Sequence, residues 1–248
     1  MSYSTSSAAW AGSIGSVING CSRIWAGARE AKPGPIIHSA GKSPVLMRVS
    51  NDFSPSILKG LMDVLSTYTS MRQGDGQWTL SIRTRLMELG IKNGYHPRCI
   101  NSNGEYAPPG SSVRYDHAWL SKKDGEPLML AEVELNVGNN AIERVYDFDK
   151  LLKTKCPFRL FIGQCPDCTS GYIKSVQFDI LNELATRCNQ TPVSIFEEYD
   201  KFLLVVIEDR NGHKDSITKP SLAYVELVFT DKWERTTDPQ FIRVEGNS

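Results

Sequence analysis

The 248-residue sequence lacks several features that would assign a chain to a special class. No charge of one sign predominates, because 28 Lys and Arg residues balance 28 Asp and Glu residues. This balance excludes a histone-like basic binder and an acidic solvating chain. No apolar run approaches the ~20 residues of a membrane span, and 19 Gly with 13 Pro exclude a low-complexity chain. What remains is a globular chain long enough to bury a sizeable core.

Six cysteines are too few for a disulfide scaffold in a chain of this length. No signal peptide is recognisable ahead of them, so we expect reduced thiols in a cytoplasmic, intracellular protein. Cys165 and Cys168 have CxxC spacing, and with Cys156 and Cys188 they would supply four zinc ligands. The paired spacing of two zinc knuckles is missing, however. Ordinary loop thiols are therefore favoured over a zinc site, and a zinc site over a redox motif.

Residues 1–50 depart from the even charge distribution, with five basic residues and one acidic residue. Apolar residues between Trp10 and Trp25 recur at helical spacing, and Pro33 and Pro35 follow in a linker. We interpret this region as an accessory helix that packs on the main domain or on a second copy of the chain, so a homodimer stays open. A transit peptide, and with it organellar targeting, is the alternative. The main domain is expected over 51–248, with its core at about 78–210.

Hydrophobic periodicity predicts alternating helices and strands across this domain. Helices are predicted from Ser54 toward Gln73, over about 78–89 (ended by Gly90), from Asn139 or Asn140 to about Lys153, and over about 172–186. Strands are predicted over 95–100, 113–120, 127–135, 158–163, 202–208 and 222–230, the last of these followed by a polar tail. The hairpin at 113–135 is antiparallel, whereas the strand–helix–strand order over 127–163 requires a parallel crossover. We therefore expect an α/β domain with a mixed β-sheet flanked by helices on both faces.

Three acidic side chains lie on the predicted hairpin, Asp116 on its first strand and Glu132 and Glu134 on its second. The two glutamates share one face of the sheet because they are two residues apart. A two-residue turn ending at Gly125 would pair Asp116 with Val133 and turn it to the opposite face. A three-residue turn with Gly125 in the left-handed conformation would instead place Asp116 opposite Glu132. In that register, three carboxylates would converge.

Carboxylates brought so close raise one another's pKa unless a cation neutralises them. Mg²⁺, with Mn²⁺ as a substitute, is the simplest such cation, because it typically takes one or two protein carboxylates together with waters and substrate phosphates. A bound divalent ion can lower the pKa of water and stabilise a phosphodiester during displacement. Acidic residues at strand ends also serve structural roles. From the residues alone, both interpretations stay open.

The order of these elements and acids resembles the PD-(D/E)XK nuclease superfamily, in a variant with Glu-x-Glu. The segments that carry the resemblance are Tyr115–Trp119 and Leu130–Asn136, with the helix and strand of Ala141–Ile162 after them. The similarity covers about residues 78–163. It implies a restriction endonuclease-like core, which the N-terminal helical appendage would precede. It also implies a Mg²⁺-dependent endonuclease that hydrolyses nucleic-acid phosphodiester bonds, with DNA favoured over RNA.

The resemblance implies a role for each acid. Asp116 and Glu132 would be metal ligands, with the main-chain carbonyl of Val133 as a candidate third ligand. Glu134 stands where the superfamily usually has Lys, so it would act as the base or as a ligand of a second metal. A second interpretation is that Glu134, in place of the usual Lys, indicates that the site has lost its catalytic activity. The chain would then be a catalytically inactive nuclease-fold module that binds nucleic acid or a protein partner.

Further residues complete the expected site. Lys150 or Lys153 on the following helix would substitute for the missing Lys, although a solvated helix face is the other interpretation of both. Glu88, on the preceding helix, would be an accessory acid. His117 neighbours Asp116 but points to the opposite face, which indicates a packed histidine. A basic groove for nucleic acid is expected from Arg83, Arg85, Lys92, Arg98, Arg114 and Lys122.

Overall fold

The structure is a computed structural model that describes residues 52–67, 75–100, 102–135, 141–165, 172–208 and 220–244. Within these ranges, the side chains of 75–77 and 141–145 are not described. The predicted accessory helix and linker of 1–50 lie outside the described residues, as does Cys168 of the CxxC pair.

Four α-helices and eight strands make up the described part of the chain. The helices are α1 (Ser54–Thr67), α2 (Asp75–Lys92), α3 (Ala141–Leu151) and α4 (Ile173–Cys188), and a short 3₁₀ turn lies at Val193–Ile195. The strands are β1 (His96–Cys99), β2 (His117–Leu120), β3 (Pro127–Glu134), β4 (Phe158–Cys165), β5 (Lys201–Glu208), β6 (Ser221–Phe229), β7 (Trp233–Arg235) and β8 (Gln240–Arg243).

The strands form one open mixed sheet in the order β1-β2-β3-β4-β5-β6-β7, with β8 also paired to β6. The β3–β4 and β4–β5 pairs are parallel, and the other pairs are antiparallel. α3 and α4 are the crossovers that return the chain for the parallel pairs, as such pairs require. The predicted mixed α/β sheet is confirmed. None of the helices in the described part of the chain has both the length and the apolar character needed to cross a membrane.

Helices cover both faces of the sheet, as predicted. One core lies between the sheet and α1 and α2, where Leu61 and Leu86 pack with Ala131 and Val133 of β3. The other lies beneath α3 and α4 and includes Leu130 of the same strand. β4 and β5 are apolar along nearly their whole length because each is covered on both sides, which is typical of central parallel strands.

The structure departs from the predictions at Gly90 and at the C-terminal segment. Gly90 lies inside α2 instead of ending it, and a Cβ there would meet the indole of Trp119 at 2.7 Å, so glycine serves close helix–sheet packing. The turn after the helix is made by Gly94, whose φ is +83°. The second difference is at the C-terminal side, where β6 is followed by β7 and β8 instead of a polar tail alone.

Candidate active site

The hairpin of β2 and β3 brings two acids side by side. His117 lies opposite Ala131 and Trp119 lies opposite Met129, which is the register predicted to bring Asp116 toward Glu132. Asp116 lies one residue before the paired segment, and its charge acts on Glu132. The second of the two predicted registers is therefore the one found. The predicted left-handed glycine is also present, with a φ of +75° at Gly125.

The strand and turn differ in detail from the prediction. β2 begins at His117 and not at residue 113, so Asp116 immediately precedes the strand. The turn has four residues, 122–125, between Ser121 and Glu126, so the predicted three-residue turn was wrong. The pairing then shifts between Trp119 and Leu120, which lies opposite Pro127, and this shift restores the predicted register. The shift in pairing and the turn both affect the register of the hairpin. Together they determine which residue faces Glu132.

Glu132 is buried on β3 and meets a basic side chain from the next helix. Lys150 of α3 places its Nζ 2.9 Å from Glu132 Oε1 and 2.8 Å from Asp147 Oδ1. The lysine side chain is only 15% exposed. The interpretation of Lys150 as part of a solvated helix face is therefore wrong, and the structure brings this residue to the acids.

Burial is the main cause that raises the pKa of Glu132, to about 9, and the charge of Asp116 adds to it while Lys150 opposes it. Burial by itself would lower the pKa of Lys150, but the hydrogen bond with Asp147 and the attraction of Glu132 raise it above its ordinary range. At neutral pH the lysine therefore carries its charge, and the glutamate carboxyl readily holds a proton. Perturbation of this size, with a specific charged partner, is typical of functional sites.

Asp116 is held by a second basic side chain, from the opposite helical layer. Its Oδ2 accepts hydrogen bonds from Arg83 Nη2 at 2.5 Å and from the Val133 amide at 3.1 Å. Arg83 Nη2 also lies 3.5 Å from the Val133 carbonyl oxygen. Each of the two acids thus has a basic partner, Arg83 of α2 for Asp116 and Lys150 of α3 for Glu132.

Glu134 is partly exposed on the same face of β3, two residues beyond Glu132. Among the residues that the structure describes, no group of three or more His, Cys, Asp or Glu side chains is arranged to hold a metal ion. The predicted convergence of three carboxylates is therefore not formed, and the acids that meet are the pair Asp116 and Glu132.

The C-terminal end of α3, which carries Lys150, is anchored by two buried side chains. The Tyr115 hydroxyl donates to the Lys150 carbonyl at 2.9 Å and also bonds Thr154. Arg159 donates to the carbonyls of Leu151, Thr154 and Cys156. Both satisfy carbonyls that a helix end leaves without partners, so they fix the backbone from which Lys150 extends. Sequence reasoning missed both residues, although an arginine inside the apolar run of β4 was an available signal.

His117 is completely buried on the other face from Glu132, and the prediction of a packed histidine is confirmed. Its Nε2 accepts a hydrogen bond from Trp119 Nε1 at 3.1 Å. Burial, and then the positive charge of Arg83, lower the pKa of His117 to about 3. The imidazole is therefore neutral in the folded protein at physiological pH.

We expect His117 to make the protein less stable as the pH falls. In the unfolded chain the imidazole takes up a proton below about pH 6.5, whereas the folded protein does not until about pH 3. Because the unfolded state then binds more protons, the free energy of unfolding should fall by up to about 1.4 kcal/mol per pH unit in this window. Urea titrations between these pH values should show a shallower pH dependence for His117→Gln.

The matched control is His96→Gln, which changes an exposed histidine on β1. It should retain the pH dependence of the wild type. An equal slope for His117→Gln and wild type would contradict the assignment of a buried neutral imidazole.

The remaining accessory candidates lie apart from the acid pair. Glu88 is exposed on α2 and bonds Arg85, which also pairs with Asp63 of α1. Lys153 is exposed, and its Nζ lies 6.0 Å from the centre of the Tyr146 ring. The helix-face interpretation therefore holds for Lys153 and not for Lys150.

The basic residues predicted for a nucleic-acid groove lie on α2, on β1 and in the segments on either side of β2. Arg83 alone among them is bonded to one of the two acids, and Arg114 is paired with Glu105. Lys122 lies in the hairpin turn, at the other end of β2 from Asp116, so the two are separated by roughly 20 Å of extended chain. The other three members of the set are Arg85, Lys92 and Arg98. A single groove lined by these six side chains stays a prediction.

The described cysteines of the predicted thiol cluster are all buried: Cys156, Cys165 and Cys188. Cys165 is the last residue of β4, so its predicted place in a loop was wrong. Burial raises the pKa of Cys156 to about 12 and also raises the pKa of Cys188. Because the thiolate is the nucleophile and the metal ligand, these shifts oppose a redox or zinc role for both residues.

No model of a known protein family matches this chain, and no curated protein or solved structure matches it. The chemistry of the site is therefore inferred from its own side chains. Asp116, Glu132 and the Val133 carbonyl offer only oxygen donors, which suit a hard divalent cation. Two carboxylates are enough for Mg²⁺, which completes its coordination with waters and substrate oxygens.

Proposed function

We propose that this protein is a Mg²⁺-dependent phosphodiesterase that cleaves nucleic acid, with DNA favoured. Its reacting groups would be Asp116, Glu132 and Lys150. The observation that carries the proposal is the contact of 2.9 Å between the buried Glu132 carboxyl and the Lys150 ammonium, beside Asp116. A charged lysine held against a buried carboxyl near the end of β3 is costly to desolvate, and this cost is explained if the groups serve chemistry.

The order of the surrounding elements supports a restriction endonuclease-like core. α2 is followed by three antiparallel strands (β1 to β3), by α3 and by the parallel strand β4. Asp116 immediately precedes the second strand of this unit, and Glu132 lies on the third. Lys150 comes from the helix that follows, and it would replace the lysine that is absent at position 134.

Each group would have a distinct role. Asp116 and Glu132, with the Val133 carbonyl, would hold Mg²⁺, which when bound supplies a Lewis acid and a more acidic water. Lys150 is cationic at neutral pH, so it would stabilise negative charge developing on the phosphate oxygens instead of acting as a base. Tyr115 would act as a positioning residue, through its hydrogen bond to the Lys150 carbonyl.

The alternative function, an inactive module that binds nucleic acid or a protein, is favoured by one contact. The hydrogen bond of Arg83 to Asp116 satisfies one proposed metal ligand from within the chain. In a purely structural network, the two basic side chains would be the permanent partners of the two acids.

The decisive experiment is cleavage of supercoiled plasmid, single-stranded DNA and RNA by the full chain in Mg²⁺ or Mn²⁺. We expect cleavage that EDTA abolishes and that Glu132→Gln lowers by a factor on the order of 10² or more, because a metal ligand with charge is lost. Gln keeps the shape of the side chain, and because Glu132 readily holds a proton at neutral pH, the fold should tolerate the change.

Glu234→Gln is the matched control, since it changes an exposed glutamate on the edge strand β7 and should leave the rate unchanged. Nucleic-acid binding by the wild type without metal-dependent cleavage would favour the inactive module. Equal cleavage by wild type and Glu132→Gln would remove Glu132 from the site.

A further inference from the structure

Arg83 lies where two of the proposed metal ligands meet. Its Nη2 is 2.5 Å from Asp116 Oδ2 and 3.5 Å from the Val133 carbonyl oxygen. The arginine and aspartate side chains are largely buried, at 13% and 18% exposure. The guanidinium therefore contacts an oxygen of each of two groups that would bind Mg²⁺.

A guanidinium and a divalent cation compete for these oxygens. Mg²⁺ needs oxygen contacts of about 2.0–2.1 Å in a near-octahedral arrangement, which leaves no room for an N–H donor on the same lone pair. The two positive charges also repel one another strongly in a partly buried site. Binding of the ion to Asp116 Oδ2 would therefore displace Arg83 from this atom.

The contacts of Arg83 are incomplete, which favours such a movement. Its Nε is buried and has no hydrogen-bond partner in the described part of the chain. A buried donor without an acceptor costs free energy. Asp116 would keep the hydrogen bond from the Val133 amide after Arg83 departs, so the aspartate would not lose all its support.

We propose that Arg83 is an internal competitor of the divalent cation. It occupies Asp116 and the Val133 carbonyl when the ion is absent, and it leaves Asp116 when the ion binds. The affinity of the site for Mg²⁺ or Mn²⁺ is therefore lower than its oxygen donors alone would provide. The positive charge of Arg83 causes this reduction in affinity. This inference rests on the proposed metal-dependent function.

Calorimetric titration of the full chain with Mn²⁺, without nucleic acid, tests the competition directly. Arg83→Gln removes the charge but keeps an amide donor for Asp116. We expect it to bind Mn²⁺ tighter by a factor on the order of ten or more, because a positive charge next to the ion is lost. Arg83→Met, which is apolar and of similar length, is a second variant that decides the matter if Gln disturbs the fold.

Arg85→Gln is the control, because Arg85 lies on the same helix but pairs with Asp63 and Glu88. Tighter binding by the Arg83 variants with no change in Arg85→Gln supports the proposal. Equal or weaker binding by the Arg83 variants overturns it and leaves the phosphodiesterase proposal standing, provided that the wild type binds Mn²⁺ and cleaves. If no variant binds Mn²⁺ and the wild type does not cleave, both proposals are overturned.

Discussion

Lys150→Met is expected to lower metal-dependent cleavage by a factor on the order of 10² or more while the protein stays folded. The activity is lost because the variant has no positive charge for the phosphate oxygens, and one fixed electrostatic contact of this kind is typically worth about that much. The fold is kept because Glu132 does not need the ammonium. Burial raises the pKa of Glu132 and Lys150 lowers it, so without the lysine the carboxyl holds its proton more firmly and is neutral.

Lys153→Met is the matched control for this result. Lys153 lies three residues further along and is exposed, and its Nζ contacts the Tyr146 ring instead of an acid. Its replacement should leave the cleavage rate unchanged. Initial rates at saturating Mn²⁺, together with thermal unfolding curves, separate activity from stability. If the two variants lose activity equally, or if neither does, Lys150 has no part in the reaction.

Asp200→Asn is expected to have the largest effect on stability, a loss of about 3–5 kcal/mol in the free energy of unfolding, because a buried charge is left without its counter-ion. Asp200 Oδ2 lies 3.2 Å from Arg159 Nη1, and both side chains are buried. The Arg159 guanidinium also lies against the rings of Phe196 and Trp233, at 4.9 and 5.8 Å from their centres.

Urea unfolding at neutral pH measures this loss. The control is Glu105→Gln, which removes the charge from an exposed pair with Arg114 and should cost less than about 1 kcal/mol. The double variant Arg159→Met/Asp200→Leu should recover only part of the loss, because the three carbonyls that Arg159 satisfies would then lack donors. A cost for Asp200→Asn as small as for Glu105→Gln would show that the buried pair adds little to stability.

The central sheet could be predicted because its strands have strong local patterns. β4 and β5 are almost entirely apolar and lie between helices, so they were recognisable as parallel strands covered on both faces. β7 and β8 were not recognisable. They have three and four residues and are mostly exposed, so neither contains enough residues to display a period of two.

The glycine in α2 shows a second reason why a prediction from sequence can fail. Gly90 follows the last apolar residue of the helical stripe, which is where a helix commonly ends. The helix continues because Trp119 packs so closely that no Cβ fits at this position. The two uses of glycine, in a turn and in a close contact, have the same local sequence signal.

The candidate site also combines features that nearby residues determine with contacts between residues far apart in the sequence. The two acids and the left-handed glycine are within one hairpin, so the alternation of the strands and the chemistry of the turn narrowed the choice to two registers. Arg83 lies 33 residues from Asp116, and nothing in its neighbourhood along the chain distinguished it from Arg85.

By itself, therefore, the sequence determined the order of the main elements, the mixed α/β class and the hairpin on which Asp116 and Glu132 lie. Only the tertiary structure decided which basic side chains contact these acids: Arg83 from one helical layer and Lys150 from the other. The physical reason is the separation along the sequence of the residues that interact. Periodicity and turn conformation act between residues close in sequence, whereas an ion pair depends on where two helices, packed on opposite faces of a sheet, place the ends of long side chains.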